Sequence, residues 1–457
     1  MERPRNLYGS VVGSALALAR RAGGGAVGAP AGCSLTAGLA TGARTAPDDV
    51  PPGVGCQPLT GVTPVLPRRP PSPYEESALT GRRDPRVLVD ATAVPADRGG
   101  VGRYVDGLLA ALAAGGADLA IVCQRSDAER YSRMAGSAEV VAAPAAIAHR
   151  PARLAWEQTG LPLVAAQVGA DVLHSPHYTM PLRCGVPVVV TVHDATFFTE
   201  PEMHSAVKGT FFRSATRTAL RRAARVVAPS RATRDELVRL LDADPTKIDV
   251  APHGVDQGTF HLPTEAEQAR VQARLGLAGQ PYIAFLGMLE PRKNVPGLVR
   301  GWVSACQGRD PAPALVLAGG SGWDDTIDAT LAEVPSSLRV LRPGYLRFSD
   351  LPGYLGGAVL VAYPSHGEGF GLPVLEAMAC GAAVLTTPRL SLPEVGGDAV
   401  AYTEPDPESI AAALSALLDD PDRRAELGAA GHERSLEFTW AASAQAHLAA
   451  FRRALEP

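Results

Sequence analysis

Lysine is nearly missing from this 457-residue chain: Lys208, Lys247 and Lys293 are the only three. Arg carries the basic charge instead, beside abundant Ala, Gly and Pro, so Arg abundance alone is no functional signal. Net charge is −4, which gives no global pull toward nucleic acid, and no nucleic-acid partner is expected. The six cysteines, Cys33, Cys56, Cys123, Cys184, Cys306 and Cys380, show no CxxC spacing. They read as reduced thiols of a cytoplasmic protein, not as a disulfide frame or zinc site. No apolar run reaches the roughly 18–20 residues of a membrane span. Leu7 to Ala19 is uncharged and runs into Arg20-Arg21, as a signal-peptide core would, but the cytosolic character of the rest argues against that role. The GxGxxG fingerprint is also missing. Gly100-Val101-Gly102 lacks the third glycine, which disfavours a nicotinamide dehydrogenase.

What is present is an alternation of short apolar runs and helical patterns. Residues 1–85 are rich in Ala, Gly, Pro, Ser and Thr with little periodicity, and read as a disordered N-terminal extension. The fold is expected to begin at Arg86–Asp90, followed by a glycine turn, Arg98–Tyr104, and a helix, Val105–Ala114. Further strands are expected at Asp118–Gln124, Asp171–Ser175, Val186–Val192, Arg225–Pro229 and Ile248–Pro252. A second series follows at Tyr282–Leu286, Ala314–Leu317, Leu338–Leu341, Val359–Tyr363, Ala383–Thr386 and Ala399–Tyr402. Such alternation predicts α/β architecture, as two tandem doubly wound Rossmann-like domains, residues 86–262 and 263–437, with a cleft between them. A final amphipathic segment, 438–457, is expected to return to the first domain.

One stretch organises the reading: Ser365 to Gly381. A buried strand is followed by a glycine-rich turn and a short helix. Pro373 suits the first helical position and Gly381 the left-handed stop. Exposed amides at a helix N-terminus attract phosphate. Glu368 in the turn and Glu376, placed in the first helical turn, would repel a diphosphate unless they accept hydrogen bonds from sugar hydroxyls. The pattern therefore suits a ligand that carries both phosphate and hydroxyls.

Glu368 and Glu376, seven residues apart and followed by Ala377-Met378-Ala379-Cys380-Gly381, resemble the E-x7-E signature of family 4 glycosyltransferases, which have the GT-B fold. Gly287 to Asn294 resembles the G-x-x-x-x-R-K-N pattern of the same family. The resemblance, covering roughly 86–457, implies that Arg292 and Lys293 stabilise the leaving nucleotide diphosphate. It places Glu368 near the donor sugar and Glu376 on the ribose. It makes Gly369, Phe370, Gly371 and Leu372 donor-binding, and Tyr345 and Leu346 base-pocket residues. Gly100 and Gly102 match the family's N-terminal glycine loop. His193, just past a buried strand, is implied to contact the donor sugar near the reacting carbon, and His177 lies on an acceptor-side loop.

The implied activity is retaining transfer of a hexose, mannose favoured, from a nucleotide diphosphate sugar to an acceptor hydroxyl. GDP-mannose is favoured over a UDP-hexose from the segments around His174 and Ser391. The acceptor is lipid-linked or a saccharide, such as cell-envelope synthesis uses. No cofactor and no metal are expected: Asp242-Ala243-Asp244 and Asp420-Pro421-Asp422 have the letters of a DxD pair but sit in turns beside helices. The Arg-rich stretch Arg213–Arg234 reads as a solvated helix face, with peripheral contact to an anionic membrane left open. A GT-B sugar-nucleotide epimerase and a non-catalytic nucleotide-sugar-binding protein are the alternatives. Ser230–Glu236 reads as a capped helix start, and Glu394 as either a turn residue or part of the family pattern.

Overall fold

The computed structural model describes residues 84–95 and 98–456. The extension before residue 84, with the Leu7–Ala19 run, lies outside the described residues.

Two parallel sheets organise the chain, as the alternating pattern requires. The first has seven strands in the order β3-β2-β1-β4-β5-β6-β7. They are β1 (Val87–Asp90), β2 (Leu119–Cys123), β3 (Glu139–Ala142), β4 (Val172–Ser175), β5 (Val188–Thr191), β6 (Arg225–Ala228) and β7 (Ile248–Val250). The second has six, in the order β10-β9-β8-β11-β12-β13. They are β8 (Tyr282–Leu286), β9 (Ala314–Ala318), β10 (Val340–Gly344), β11 (Leu360–Tyr363), β12 (Val384–Thr386) and β13 (Ala401–Tyr402). The central strands are continuous apolar runs such as Leu-Ala-Ile-Val-Cys, buried along their whole length. That is the signature of a parallel sheet covered on both faces.

Six helices bear on the site: α1 (Gly100–Ala114), α2 (Ala206–Arg222), α3 (Arg231–Leu241), α4 (Leu372–Ala379), α5 (Leu392–Gly396) and α6 (Trp440–Arg453). Helix α6 is capped by Thr439, whose Oγ1 accepts from the Ala442 amide. It lays Ala444, Leu448 and Phe451 into the same core as Val89, Leu109 and Val172 of the first domain. Gly107 of α1 makes room for it: a Cβ there would stand 2.3 Å from the Trp440 ring.

Four local expectations change. Strand β3 is not visible as an apolar run, because it is a half-exposed edge strand of four residues. The turn Arg98–Tyr104 is only partly a turn, since α1 already begins at Gly100 and takes Gly100 and Gly102 into its first turn. Helix α4 begins at Leu372, so Pro373 is its second residue. Glu376 then falls in the second turn of α4, not the first. The helix starts one residue early because Gly371, at φ +106, supplies the left-handed bend that lets Leu372 enter it.

Candidate functional site

In the second sheet the strand order turns around between β8 and β11, and in the first between β1 and β4. Open α/β sheets bind ligands beyond the carboxyl ends of the strands at such points. The chain leaving β8 carries Glu290, Arg292 and Lys293. The chain leaving β11 carries Ser365 to Gly371.

These two segments meet in a buried charge cage. Lys293 Nζ lies 2.6 Å from Glu368 Oε1, and Arg292 Nη1 lies 2.6 Å from Glu368 Oε2. Arg292 also reaches Glu290 at 2.7 Å and donates to the Gly367 carbonyl at 2.6 Å. Ser365 Oγ and the Tyr363 hydroxyl donate to Glu368 Oε1 at 2.8 and 3.1 Å. Burial would push the Glu368 carboxyl up, but Arg292 and then Lys293 outweigh it and hold the carboxyl down at about 2. Burial, then Arg292 beside it, depresses the Lys293 ammonium, while Glu368 opposes them. The two cations are thus matched by two carboxylates within the chain, and Lys293 is only 7% exposed. Each cation already faces an anion, the pairing that a diphosphate also offers.

Glu376 behaves differently. It is 2% exposed, and its one ionic partner among the described residues, Arg103 at 2.9 Å, comes from α1 of the other domain. Burial raises its carboxyl to about 7, with Arg103 pulling the other way. Arg103 Nε, buried beside it, has no hydrogen-bond partner among the described residues.

The two domains meet around the loop Ser365 to Gly371. Gly369 packs against His193: a Cβ on Gly369 would stand 1.8 Å from the His193 carbonyl oxygen, so any side chain there would push the domains apart. Ser230 Oγ and Thr233 Oγ1 of the first domain both donate to the Gly369 carbonyl, at 2.8 and 3.1 Å. On the same helix start, the amides of Arg231 and Ala232 donate to Glu394 of α5, at 3.0 and 2.6 Å. The carboxylate sits where the α3 dipole favours it. Phe370 faces the His253 ring at 4.9 Å.

His193 follows β5 directly. Its Nε2–H donates to the Pro176 carbonyl at 2.7 Å, which fixes the tautomer when the ring is neutral. Burial lowers its pKa. His177 lies 5.8 Å from it by ring centroids, edge-on to Tyr178 and Phe212, and burial together with His193 brings it down to about 3. Tyr345 and Leu346 follow β10. Tyr345 is 60% exposed, and its hydroxyl covers Gly320, where a Cβ would come within 2.5 Å. Nothing stands within 4 Å of the Cβ position of Gly100, whereas Gly102 faces Arg98 and Val94 of its own domain.

The structure therefore gathers Arg292, Lys293 and Glu368 into one cluster, sets His193 against Gly369, and leaves Gly100 and Gly102 without a contact across the cleft at these positions. Arg103, Ser230 and Thr233 were missed as cleft residues. One Arg among many carries no signal, and a helix cap explains Ser230 locally. Asp242 and Asp244 end α3 and cap the next turn, where Asp244 accepts from the Thr246 amide at 2.9 Å. Among the described residues no three His, Cys, Asp or Glu side chains form a group that could hold a metal ion.

Comparison with known proteins agrees with this architecture. The family described as Glycosyltransferase Family 4 matches residues 98–258, and that described as Glycosyl transferases group 1 matches 268–434. The O-antigen chain mannosyltransferase B of Escherichia coli is 32% identical over 276 residues, 59% of this chain and 71% of that one. The D-inositol 3-phosphate glycosyltransferase of Kineococcus radiotolerans is 36% identical over 253 residues, but the chain spans only 58% of its length. Among solved structures, Anabaena HepE in complex with UDP-glucose superposes with a TM-score of 0.63 at 18% identity, covering 79% of this chain and 98% of that one. Sucrose-phosphate synthase from Thermosynechococcus elongatus gives 0.65 at 21% identity, covering 81% and 98%. Two doubly wound domains closing on a glycine loop define the GT-B fold. The chain belongs to glycosyltransferase family 4 and is a glycosyltransferase.

Proposed function

We propose that this enzyme is a metal-independent, retaining hexosyltransferase that takes mannose from GDP-mannose to a hydroxyl of an envelope saccharide or lipid-linked acceptor. The charge cage carries the reading: Arg292 and Lys293 are held together and partnered by Glu368 and Glu290. Two buried cations beyond the ends of β8 and β11 suit a departing nucleotide diphosphate, whose developing charge is the main electrostatic demand of the transfer. Glu376, with a carboxyl close to neutrality and a single ionic partner, suits ribose hydroxyls. His193, whose carbonyl oxygen meets Gly369, lies beside the loop that would carry the donor sugar. Mannose is favoured by the Escherichia coli relative, itself a mannosyltransferase. A UDP-hexose is the second reading, favoured by the UDP-glucose bound to HepE.

Calorimetric titration with GDP, UDP, ADP and dTDP decides between them. GDP is expected to bind tightest, with affinity lost in Glu376→Ala and Lys293→Ala. Preference for UDP would overturn the mannose reading, and no binding of any would overturn the donor site. EDTA is expected to leave donor turnover unchanged.

One surface feature supports a peripheral site of action. No helix among the described residues is long and apolar enough to cross a membrane. Helix α2 exposes Val207 and Phe211 beside Arg217, Arg221 and Arg222. An apolar tip with basic flanks suits peripheral contact with the inner face of the membrane. Co-sedimentation with phosphatidylglycerol vesicles tests it: binding no greater than to phosphatidylcholine vesicles would remove this part of the proposal.

A further inference from the structure

The segment from Thr196 to His204, between β5 and α2, faces the donor loop from the first domain. Three of its polar atoms are shut off from solvent and find no hydrogen-bond partner among the described residues: Thr199 Oγ1, Glu200 Oε2 and His204 Nδ1. Folded proteins leave few such atoms, because each costs about 1–3 kcal/mol. Three within six residues, in a cleft, point to a ligand.

The groups are held in place by other contacts. The Glu200 amide donates to the Thr196 carbonyl at 2.9 Å. The other Glu200 oxygen, Oε1, lies 3.6 Å from the Cβ position of Gly367, next to Glu368 in the donor loop. The His204 ring lies against Phe197, centroids 4.3 Å apart. Arg292 acts electrostatically on both Glu200 and His204, so both border the charge cage.

The hydrogen-bond chain fixes what His204 can offer. Thr196 Oγ1 donates its proton to Asp194 Oδ1 at 2.8 Å. It must then accept from His204 Nε2, 3.2 Å away. In the neutral ring Nδ1 is left as an acceptor. Glu200 is also an acceptor, and Thr199 can both donate and accept. Such a set suits O–H donors, and the Glu200 carboxylate disfavours an anion at its own position even though Arg292, Arg389 and Lys208 act on the segment from around it.

We propose that Thr199, Glu200 and His204 form the acceptor subsite, and that it takes a neutral polyol, a saccharide or cyclitol ring with neighbouring hydroxyls. The assignment rests on the sugar-transfer reading above. Glu200 holds the acceptor ring by accepting from its hydroxyls and thereby orients the attacking oxygen toward the donor loop. Any phosphate on the acceptor lies away from this segment.

Saturation-transfer NMR with methyl α-D-mannopyranoside and with myo-inositol tests this, with and without saturating GDP or UDP. Wild type is expected to bind at least one polyol. Glu200→Gln and Thr199→Val are each expected to weaken that binding about tenfold while nucleoside diphosphate affinity stays within twofold. The melting temperature of Glu200→Gln is expected to be unchanged or higher, because a buried carboxylate without a full set of partners is removed. A merely structural Glu200 would lower it. Polyol binding equal in wild type and variants overturns the subsite, as does no polyol binding to a protein that binds nucleotide. Failure to bind any nucleoside diphosphate strikes the donor reading instead, and the nucleotide-free titration then decides the subsite alone.

Discussion

Lys293→Ala is expected to cut donor turnover by about 10²–10³-fold, the usual effect of removing one preorganised group that stabilises developing negative charge. Nucleoside diphosphate affinity is expected to fall about tenfold in the same variant. The reason lies in the cage. Lys293 packs between the Tyr363 hydroxyl and Glu368, where a compact ammonium fits. Lys293→Arg is therefore not expected to rescue, since a planar fork cannot take the place of a point charge there. The fold should survive, because Glu368 retains Arg292, Ser365 and Tyr363. Release of nucleoside diphosphate from the donor into water measures the effect without an acceptor, and a melting curve controls for folding. Turnover within threefold of wild type would remove Lys293 from the chemistry.

Acid is expected to unfold the first domain well before it protonates the cage. Five histidines cluster in or beside its core. Tyr104 sits among them, with His447 Nε2 at 2.8 Å from its hydroxyl and His253 at 4.7 Å by ring centroids. His174 lies 5.6 Å from His447. Burial, then neighbouring imidazoles, lowers His174 and His253 well below their ordinary value. Burial brings His447 to about 4 and, with His193 beside it, His177 to about 3. Burial also lowers His193. The unfolded chain protonates these rings below about pH 6.5, whereas the folded chain does not, so stability is complete above that pH and is lost as pH falls. At pH 5 a ring kept neutral costs about 2 kcal/mol against an unfolded pKa near 6.5, and several such rings act in the same direction. Glu376 works in the opposite direction. Its raised carboxyl penalises the fold increasingly from about pH 4.5 and in full above about 7, so relief on acidification returns at most about 3 kcal/mol. The histidines outweigh it. The melting temperature is expected to be level from pH 8 to 7 and to drop steeply between 6.5 and 5. A flat profile over that range would contradict the buried cluster.

Family membership removes the two alternatives to a transferase, the epimerase and the non-catalytic binder. The charge cage was legible because it is written in contiguous residues. Gly287 to Asn294 and Ser365 to Gly381 each lie within one strand-to-loop crossing, where residue order and spatial order coincide. The buried strands were legible for a similar reason: parallel strands covered on both faces must be apolar throughout, a demand that the incompletely buried edge strands β3, β10 and β13 escape, and of these only β3 was not legible.

The sequence by itself determined the two-sheet α/β architecture and the family, because local apolar runs and short motifs are properties of neighbouring residues. Tertiary structure alone decided which residues answer one another across the cleft. Arg103 meets Glu376 over 273 positions, Ser230 meets the Gly369 carbonyl over 139, and Glu394 caps a helix of the other domain. None of these pairings has a spacing that a linear chain can display. They arise only when the two sheets pack against each other; burial then sets the charge of Glu376 and the histidines, and Arg292 with Lys293 that of Glu368.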